Sequence, residues 1–319
     1  MHQFSIITPT YNRSYFLQNV YHSLCLQEGI DFEWIIVDDG STDNTKEIVD
    51  CFNEKILLKY VYQNNAGKPT AMNTGIRMAD SYISVSFDSD DIFYPDALKT
   101  VWSYFDFNTK KFENDCVCLS GLCQYENGDI IGNKFPNDYY VSDHIRYRLN
   151  KNIRGDKQEF ILTKILKEYS FPLFQNEKNI APGIIMTRIS FLYSTLYVNK
   201  ILATKQFLQG GLSTQNYWFM YPKGSEIFYN ESSVPPFKLG LQIYNSGQYI
   251  FFSKMIKREN IYSNALNKRI FPLGLIAYFL YSIKVLFKRI RLFQILNNII
   301  KSIIFKIFRI KNNYKVFNT

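Results

Sequence analysis

Three carboxylates lie within four positions, directly after a stretch that is predicted to be a buried strand. In that stretch, Tyr82–Phe87, β-branched and aromatic residues alternate with serines. Asp88, Asp90 and Asp91 repel one another, so the cluster costs stability unless a cation lies between the side chains. Carboxylate oxygens at positions i and i+2 suit Mg²⁺ or Mn²⁺, which also take water and substrate phosphates as ligands. The run predicts a divalent metal site; the alternative is a solvated turn in which Asp91 caps the next helix.

Three further strand-like segments precede this one, and each is followed by a segment with a helical pattern. The strands are predicted at Phe4–Ile7, Glu33–Val37 and Ile56–Tyr62. The helices are predicted over a segment with Leu17, Val20 and Leu24 on one face, over Thr45–Phe52, and from Pro69 onwards. Strands and helices that alternate with short connections predict an α/β fold with a mainly parallel central sheet flanked by helices.

Polar side chains follow the predicted strands at the ends where a parallel sheet binds ligands. Thr10, Asp39 and Lys68 come after the first three strands, as the carboxylate run comes after the fourth. With Arg77 on the helix that starts near Pro69, the crevice has the charges needed for a diphosphate. Neither G-x-G-x-x-G nor G-x-x-x-x-G-K-[ST] occurs in the chain, so neither a dinucleotide fingerprint nor a P-loop accounts for it.

The net charge of +9 is unevenly distributed along the 319 residues. Residues 260–319 hold eleven of the 37 lysines and arginines and none of the 28 acidic residues. The rest of the chain is therefore slightly acidic, and the basic character belongs to the C-terminal segment. The first residues have no basic start and no small-residue cleavage site, so we expect a cytoplasmic protein.

The C-terminal segment has the pattern of a membrane-surface helix. Ile270–Ile283 is uncharged but shorter than the roughly 20 residues that a membrane-spanning helix needs. Beyond it, lysines and arginines recur at roughly helical spacing among isoleucine, leucine and phenylalanine. This pattern predicts an amphipathic helix on an anionic membrane surface. The alternative is a pair of helices packed on the protein body or in an oligomer, whereas nucleic acid is not an expected partner because it would leave the apolar side uncovered.

Four ordered motifs resemble those of the family 2 glycosyltransferases. They are Ile-Ile-Thr-Pro-Thr-Tyr-Asn-Arg at 6–13, Ile-Ile-Val-Asp-Asp-Gly-Ser-Thr-Asp at 35–43, Asn-Asn-Ala-Gly-Lys-Pro-Thr-Ala-Met-Asn-Thr-Gly at 64–75 and Phe-Asp-Ser-Asp-Asp at 87–91. The resemblance implies an inverting enzyme with the nucleotide-sugar-binding GT-A fold. Residues up to about 235 resemble a branch of the family that assembles bacterial surface polysaccharides.

The resemblance also implies roles for individual residues. The nucleoside would contact Thr8, Thr10 and Asp39, the last through uracil, and the ribose and phosphates would lie near Lys68, Asn73 and Arg77. Asp88, Ser89 and Asp90 correspond to the D-x-D motif, in which Asp90 would contact the Mn²⁺ or Mg²⁺ ion and Asp88 the ribose or a metal-bound water. For Asp38, Ser41 and Asn73, a role in turns and helix caps is an open alternative.

The general base does not follow the family pattern. Inverting transfer needs a group that takes the proton of the acceptor hydroxyl, and the family uses a carboxylate where this chain has Ile180–Gly183, without an acid. Glu177 is the nearest carboxylate and our predicted base; Asp156 and Glu159 belong to the same block. The alternative for Glu177 is an ion pair with a neighbouring lysine.

The resemblance and the charge pattern together predict the organisation and function of the chain. We expect a glycosyltransferase domain over 1–235, with a nucleotide-sugar half (1–95) and an acceptor half (96–235), and a helical basic extension over 236–319. The expected reaction is metal-dependent transfer from a UDP-sugar to a lipid-linked or polysaccharide acceptor at the inner face of a bacterial membrane. The alternative is a catalytically idle relative that binds nucleotide-sugar or partners in a membrane assembly complex.

Overall fold

The chain divides into two units in the computed structural model, which describes residues 1–52, 55–107, 115–206 and 217–288. The units are Met1–Tyr221 and Pro222–Thr319. The predicted boundary at 235 stays a prediction, since it separates functional roles, whereas this division follows internal packing.

The first unit contains the predicted alternation of strands and helices. The strands are β1 (His2–Thr10), β2 (Phe32–Asp38), β3 (Leu57–Tyr62) and β4 (Ser81–Ser86), and the helices are α1 (Ser14–Cys25), α2 (Thr45–Asp50) and α3 (Lys68–Met78). The four strands are all parallel, in the order β3-β2-β1-β4. The sequence-based prediction of an α/β fold is therefore confirmed, and the carboxyl ends of these strands form one edge.

Strand β1 is longer than predicted. The predicted strand ended at Ile7, two residues before Pro9, and proline is rare inside a sheet. In the structure β1 continues to Thr10, with Pro9 opposite Val37 of β2. Its pairing with β4 stops at Ile7, so Pro9 lies where β1 keeps only the partner β2. The missing N–H of a proline is tolerated at such a position.

Helix α3 packs closely on the parallel strands because it has a glycine where it crosses them. A Cβ atom on Gly75 would lie 2.3 Å from Cγ2 of Ile7 on β1. This close packing brings the first turn of α3 to the edge where β1 and β4 end.

The rest of the first unit extends the same sheet. Its strands are β5 (Asp91–Phe93), β6 (Cys116–Tyr125), β7 (Tyr140–Ser142), β8 (Lys157–Leu162) and β9 (Ser194–Lys205). Its helices are α4 (Ala97–Phe107), α5 (a π-helical turn, Ile145–Leu149), α6 (Thr163–Leu166), α7 (Gly183–Ile189) and α8 (Tyr217–Met220). Strand β8 is antiparallel to β4, with Phe160 opposite Val85. The beginning of β8 therefore lies beside the end of β4.

The second unit is helical. It contains α9 (Pro222–Glu231), α10 (Leu239–Met255), α11 (Ile261–Asn264) and α12 (Phe271–Lys288). Helices α10 and α12 pack closely at two glycines: a Cβ atom on Gly247 would lie 2.8 Å from Ala277 Cβ, and one on Gly274 would lie 2.2 Å from Ser246 Oγ. Among the described residues, no helix is both long and apolar enough to span a membrane. The predicted amphipathic segment beyond Lys288 lies outside the described residues.

Candidate functional site

The carboxylate run after β4 forms three ion pairs with cations from three different parts of the first unit. The pairs are Asp88 Oδ1 with Lys68 Nζ at 2.6 Å, Asp90 Oδ2 with Arg13 Nη1 at 2.5 Å, and Asp91 with Lys205. The cations come from the first turn of α3, the loop between β1 and α1, and the end of β9. The repulsion expected from the sequence is thus offset by the protein's own side chains.

The electrostatics of this cluster differ between its carboxylates. Burial alone would raise the pKa of Asp88, but the charges of Lys68, Lys205 and Arg13 hold that pKa below its ordinary value. For Asp91, burial outweighs the attraction of Lys205 and raises the pKa to about 7. Burial opposes the charge of Lys205, and the carboxylates of Asp91 and Asp88 nevertheless raise the pKa of this lysine. Of these two carboxylates, Asp88 is therefore the one held fully ionised at neutral pH.

The loop that carries Arg13 is braced by the loop after β2. Asn12 has a left-handed backbone conformation, with φ of 51°, and its N–H donates to Ser41 Oγ at 2.9 Å. Asn12 Oδ1 accepts from the N–H of Thr42 at 2.7 Å. Asp38 accepts from the N–H of Ser41 at 2.7 Å and from the hydroxyl of Tyr60 at 2.7 Å. In these contacts Asp38 and Ser41 have the turn role that the sequence left open.

Asp39 holds the loop that leads into α3. Its carboxylate accepts from the N–H groups of Ala66 and Gly67 at 2.9 and 2.7 Å, and from Gln63 Nε2 at 2.8 Å. These contacts position Lys68, the next residue. The predicted contact of Asp39 with a nucleoside stays a prediction, and the structure adds a positioning role.

The two threonines of the first motif occupy different environments. Thr8 is fully buried and accepts a hydrogen bond from Trp34 Nε1 at 3.0 Å. Its predicted contact with a nucleoside stays a prediction. Thr10 lies at the edge, where its buried Oγ1 has no hydrogen-bond partner in the described part of the chain. Ser89, between the two carboxylates, is 3% exposed. A buried hydroxyl without a hydrogen bond raises the free energy of the folded state. Of these three side chains, Thr10 is therefore the one that we expect to bind a ligand.

Asn73 and Arg77 both lie on α3. The Asn73 amide donates to the carbonyl of Phe171 at 2.9 Å and accepts from its N–H at 2.8 Å. Its contacts therefore tie α3 to the segment at 171. Arg77 is in the last turn of α3, about 13 Å along the helix axis from Lys68, and donates to Thr74. The predicted proximity of both residues to the ribose and phosphates stays a prediction.

The segment that contains Glu177 is fastened beside the first turn of α3. Lys178 Nζ donates to Asn65 Oδ1 at 2.6 Å. A Cβ atom on Gly67 would lie 2.2 Å from the carbonyl oxygen of Lys178, so the two backbones touch. Together with the contact of Asn73, these contacts bring Glu177 to the same edge as Lys68, although they are more than 100 residues apart in sequence.

The other two carboxylates considered as bases lie on or next to β8. Glu159 pairs with Arg148 at 2.9 Å, and burial raises its pKa. Asp156 is exposed, just before the first residue of β8. Gln158, which the sequence did not single out, donates from Nε2 to the carbonyl of Ser86 at 2.9 Å, and its buried Oε1 has no partner in the described residues. The start of β8 thus adds polar groups to the edge.

Three residues of this site were not predicted: Arg13, Gln158 and Lys205. Arg13 ends the first motif, and this position beside the strand edge was a usable signal. Gln158 and Lys205 have no local signal, because their proximity follows from the pairing of β8 with β4 and of β9 with β5, where Lys205 lies opposite Asp91.

A cavity of about 250 Å³ lies at the ends of β2 and β3. It is lined by two tyrosines, a lysine, a serine and two carboxylates, namely Tyr60, Tyr62, Lys46, Ser41, Asp38 and Asp43. Aromatic faces and hydrogen-bonding groups of this kind suit a nucleoside or a sugar.

Asp88 and Asp90 have the chemistry that a divalent cation needs. Each carboxylate has one oxygen in an ion pair, and no described residue forms a hydrogen bond with the other oxygen. Among the described residues no group of three or more histidine, cysteine or acidic side chains could hold a metal ion. Mg²⁺ needs only one or two carboxylates when substrate phosphates complete its coordination. The pair therefore fits such an ion in the presence of a phosphate ligand.

Comparison with known proteins relates this geometry to one family. The model of glycosyl transferase family 2 matches residues 5–179, more than half of the 319 residues. Poly(ribitol-phosphate) β-N-acetylglucosaminyltransferase TarS of Staphylococcus aureus is 33% identical over 110 residues, 33% of this chain and 19% of that protein. Validoxylamine A glucosyltransferase of Streptomyces hygroscopicus is 33% identical over 101 residues, 30% of this chain and 24% of that protein. The chain thus spans a quarter or less of the length of these relatives.

The fold is also that of solved structures. Staphylococcus aureus TarS 1–349 in complex with UDP-GlcNAc has a TM-score of 0.60 at 19% identity, covering 86% of this chain and 79% of that one. At this level of identity the likeness concerns the fold. The arrangement of helices around the central sheet is shared.

Proposed function

The chain belongs to glycosyl transferase family 2, and on that premise we propose that it transfers a sugar, with inversion, from a UDP-sugar to a saccharide acceptor. The observation that carries the proposal is the cluster of Asp88, Asp90, Lys68 and Arg13 at the carboxyl edge of the parallel strands. Charges of both signs at that edge suit a diphosphate and its counter-ion. A UDP-linked donor is favoured because the similar TarS fold has been solved with UDP-GlcNAc.

The donor half would act by position and charge. Thr10 offers a buried hydroxyl, and Lys68 and Arg13 offer cations. Asp88 and Asp90 would hold a Mn²⁺ or Mg²⁺ ion, which when bound supplies positive charge for the leaving diphosphate. Fixed cations at the place where negative charge develops lower the barrier without having to reorient during the reaction.

Glu177 would take the proton of the acceptor hydroxyl. The contacts of Lys178 with Asn65 and Gly67 hold its neighbour Glu177 at the donor edge. A general base must reach the attacking hydroxyl on the side of the sugar opposite the leaving group. The attachment of the Glu177 segment beside the first turn of α3 supports this role.

The acceptor and the location are proposed from the relatives and from the charge pattern. TarS acts, by its name, on a poly(ribitol-phosphate), and we infer a related acceptor class, a lipid-linked saccharide or polysaccharide of capsule, O-antigen or exopolysaccharide synthesis. The eleven lysines and arginines of residues 260–319, without any acid, would hold the protein peripherally on the anionic inner face of the cell membrane.

A second candidate, an idle relative that binds nucleotide-sugar without transfer, rests on Gly183. This residue begins α7 where the family resemblance predicts a carboxylate, and a Cβ atom there would meet nothing within 4 Å. Gly183→Glu is therefore expected to fold normally. If wild type lacks transfer and Gly183→Glu gains it, the idle candidate is correct; transfer by wild type excludes it.

The experiment is a binding and hydrolysis screen against UDP-, GDP- and TDP-sugars with and without Mn²⁺. We expect one UDP-sugar to bind in a metal-dependent way and to be hydrolysed slowly, and to be transferred when membrane extract supplies the acceptor. Asp90→Asn is expected to lose the metal dependence, and Asp50→Asn, an exposed aspartate on α2, is the matched control. Absence of binding to every donor contradicts the proposal.

A further inference from the structure

The contact between Arg13 and Asp90 has a consequence for metal binding. We propose that Arg13 competes with the divalent cation for Asp90 and, once displaced, binds the diphosphate of the donor, so that it couples metal binding to donor binding. The inference rests on the proposed function for the identity of the donor. It makes Arg13 a donor-binding residue that the sequence did not indicate.

Arg13 and Asp90 are in direct contact. Arg13 Nη1 lies 2.5 Å from Asp90 Oδ2, the carboxylate expected to contact the metal, and the two side chains are 31% and 16% exposed. Charges that are partly removed from water interact more strongly than charges on an open surface. A metal ion that binds this oxygen must therefore displace the guanidinium or share the carboxylate with a like charge.

Hydrogen bonds of the two neighbouring residues anchor the backbone at Arg13. The preceding Asn12 is bonded to the loop after β2 through Ser41 and Thr42. The following Ser14 donates from its N–H to Asp43 at 3.2 Å and from its hydroxyl to Asn44 at 2.7 Å. The backbone on both sides is thus held, and a displaced guanidinium can move only within the reach of its own side chain, which keeps it at the edge.

Positive and negative side chains are balanced at the proposed metal site. At the two carboxylates expected to hold the metal, each charge is matched by one cation, Arg13 at Asp90 and Lys68 at Asp88. A divalent cation alone adds positive charge to this balanced set, whereas a divalent cation together with a diphosphate dianion adds none. Binding of the two is therefore favoured jointly, and a coupling of this kind is reciprocal.

The test is a titration with Mn²⁺, followed by electron paramagnetic resonance, first without and then with UDP. Without UDP, we expect Arg13→Gln to bind Mn²⁺ about tenfold more tightly than wild type, because the competing cation is gone. UDP is expected to raise the Mn²⁺ affinity of wild type, and to raise that of the variant by a factor that is about tenfold smaller. The variant is also expected to bind UDP more weakly than wild type. Arg146→Gln, the same change at an arginine that pairs with Asp143 outside the cluster, is expected to match wild type in both titrations.

Equal Mn²⁺ affinity of wild type and Arg13→Gln without UDP overturns the inference, as does an unchanged effect of UDP. Circular dichroism checks that the variants fold. If Arg13→Gln does not fold, the test is repeated with Arg13→Met, which keeps most of the arginine stem. The titration without UDP needs no sugar transfer. Failure of UDP to bind to wild type instead contradicts the proposed function, so the two failures are distinguishable.

Discussion

Single polar residues at the carboxyl edge fall into two groups with different tasks. Asp39 and Asn73 use their side chains to hold backbone, at Ala66 and Gly67 in one case and at Phe171 in the other. Asp88 and Asp90 instead face charged side chains that a ligand could replace. Residues of the first group position the site, and those of the second group can contact a bound ligand.

The role of Glu177 gives the first prediction. Glu177→Gln keeps the size of the side chain but removes its basicity, so we expect turnover to fall by about 10²–10⁴-fold while UDP affinity is unchanged. Steady-state kinetics with a hydrolysed donor and UDP titration measure the two effects. Glu168→Gln, an exposed glutamate before the same segment, is the control. If turnover survives in Glu177→Gln, the base is another group.

His144 predicts a pH dependence of stability. Burial, with a smaller contribution from Arg148, lowers the pKa of His144 to about 3. The unfolded chain binds the proton near pH 6.5, so the stabilising effect is complete above that value and is lost as pH falls towards 3. Between pH 7 and pH 5 the free energy of unfolding should fall by about 2 kcal/mol from this residue alone.

Urea unfolding at the two pH values measures this effect. His144→Gln does not titrate, so its stability should change less between pH 7 and pH 5 than that of wild type. An equal change in both proteins means that His144 is not responsible.

Among the structural elements, the first turn of α3 and the segment 171–179 form the part of the site that depends most on backbone contact. Gly67 precedes α3 with φ of 94°, a conformation that favours glycine, and touches the backbone of Lys178. The same turn carries Lys68, which pairs with Asp88. One glycine therefore links the donor side of the edge to the segment of the proposed base.

Gly67→Ala tests this link against a matched glycine. Gly128, in the hairpin after β6, has a similar φ of 86°, but a Cβ atom there meets nothing within 4 Å. We expect Gly128→Ala to cost about 1–2 kcal/mol for the conformation alone, and Gly67→Ala to cost more and to reduce turnover. Urea unfolding and donor hydrolysis measure the difference. Equal costs with full turnover in Gly67→Ala contradict a role for the contact.

In the whole molecule, the excess of positive charge and the candidate site lie in different parts of the chain. The candidate site is in the unit Met1–Tyr221, whereas eleven lysines and arginines lie in residues 260–319. Helix α12 packs closely on α10 through Gly247 and Gly274. It is therefore a part of the folded second unit, and the proposed membrane contact is expected to lie in the basic residues that follow it.

Truncation after Lys288 tests that assignment without removing α12. The full chain is expected to sediment with vesicles that contain anionic lipid and to be released by about 1 M salt, which screens charges beyond about 3 Å. The truncated protein is expected to stay in the supernatant and to keep its affinity for UDP. A truncated protein that still sediments shows that the membrane contact lies elsewhere, and neutral vesicles are the control for both.

The sequence alone determined the α/β class and the position of the carboxylate run after a strand, because burial periodicity and residue type are local properties of the chain. It also placed Glu177 among the residues to consider, as the carboxylate nearest to the position where the family resemblance implies a base. Its assignments of Thr8 and Arg77 to the donor stay predictions, because neither motif membership nor spacing shows which side of a strand or which end of a helix faces the crevice.

Only the tertiary structure decided which of these groups meet. Arg13 and Asp90 are separated by 77 residues, and Asn73 and Phe171 by 98. Such contacts depend on the order β3-β2-β1-β4-β8 and on the antiparallel entry of β8. Strand order is set by how all helices and strands share one core, so no local pattern encodes it, and the partners of the carboxylates became visible only in the folded chain.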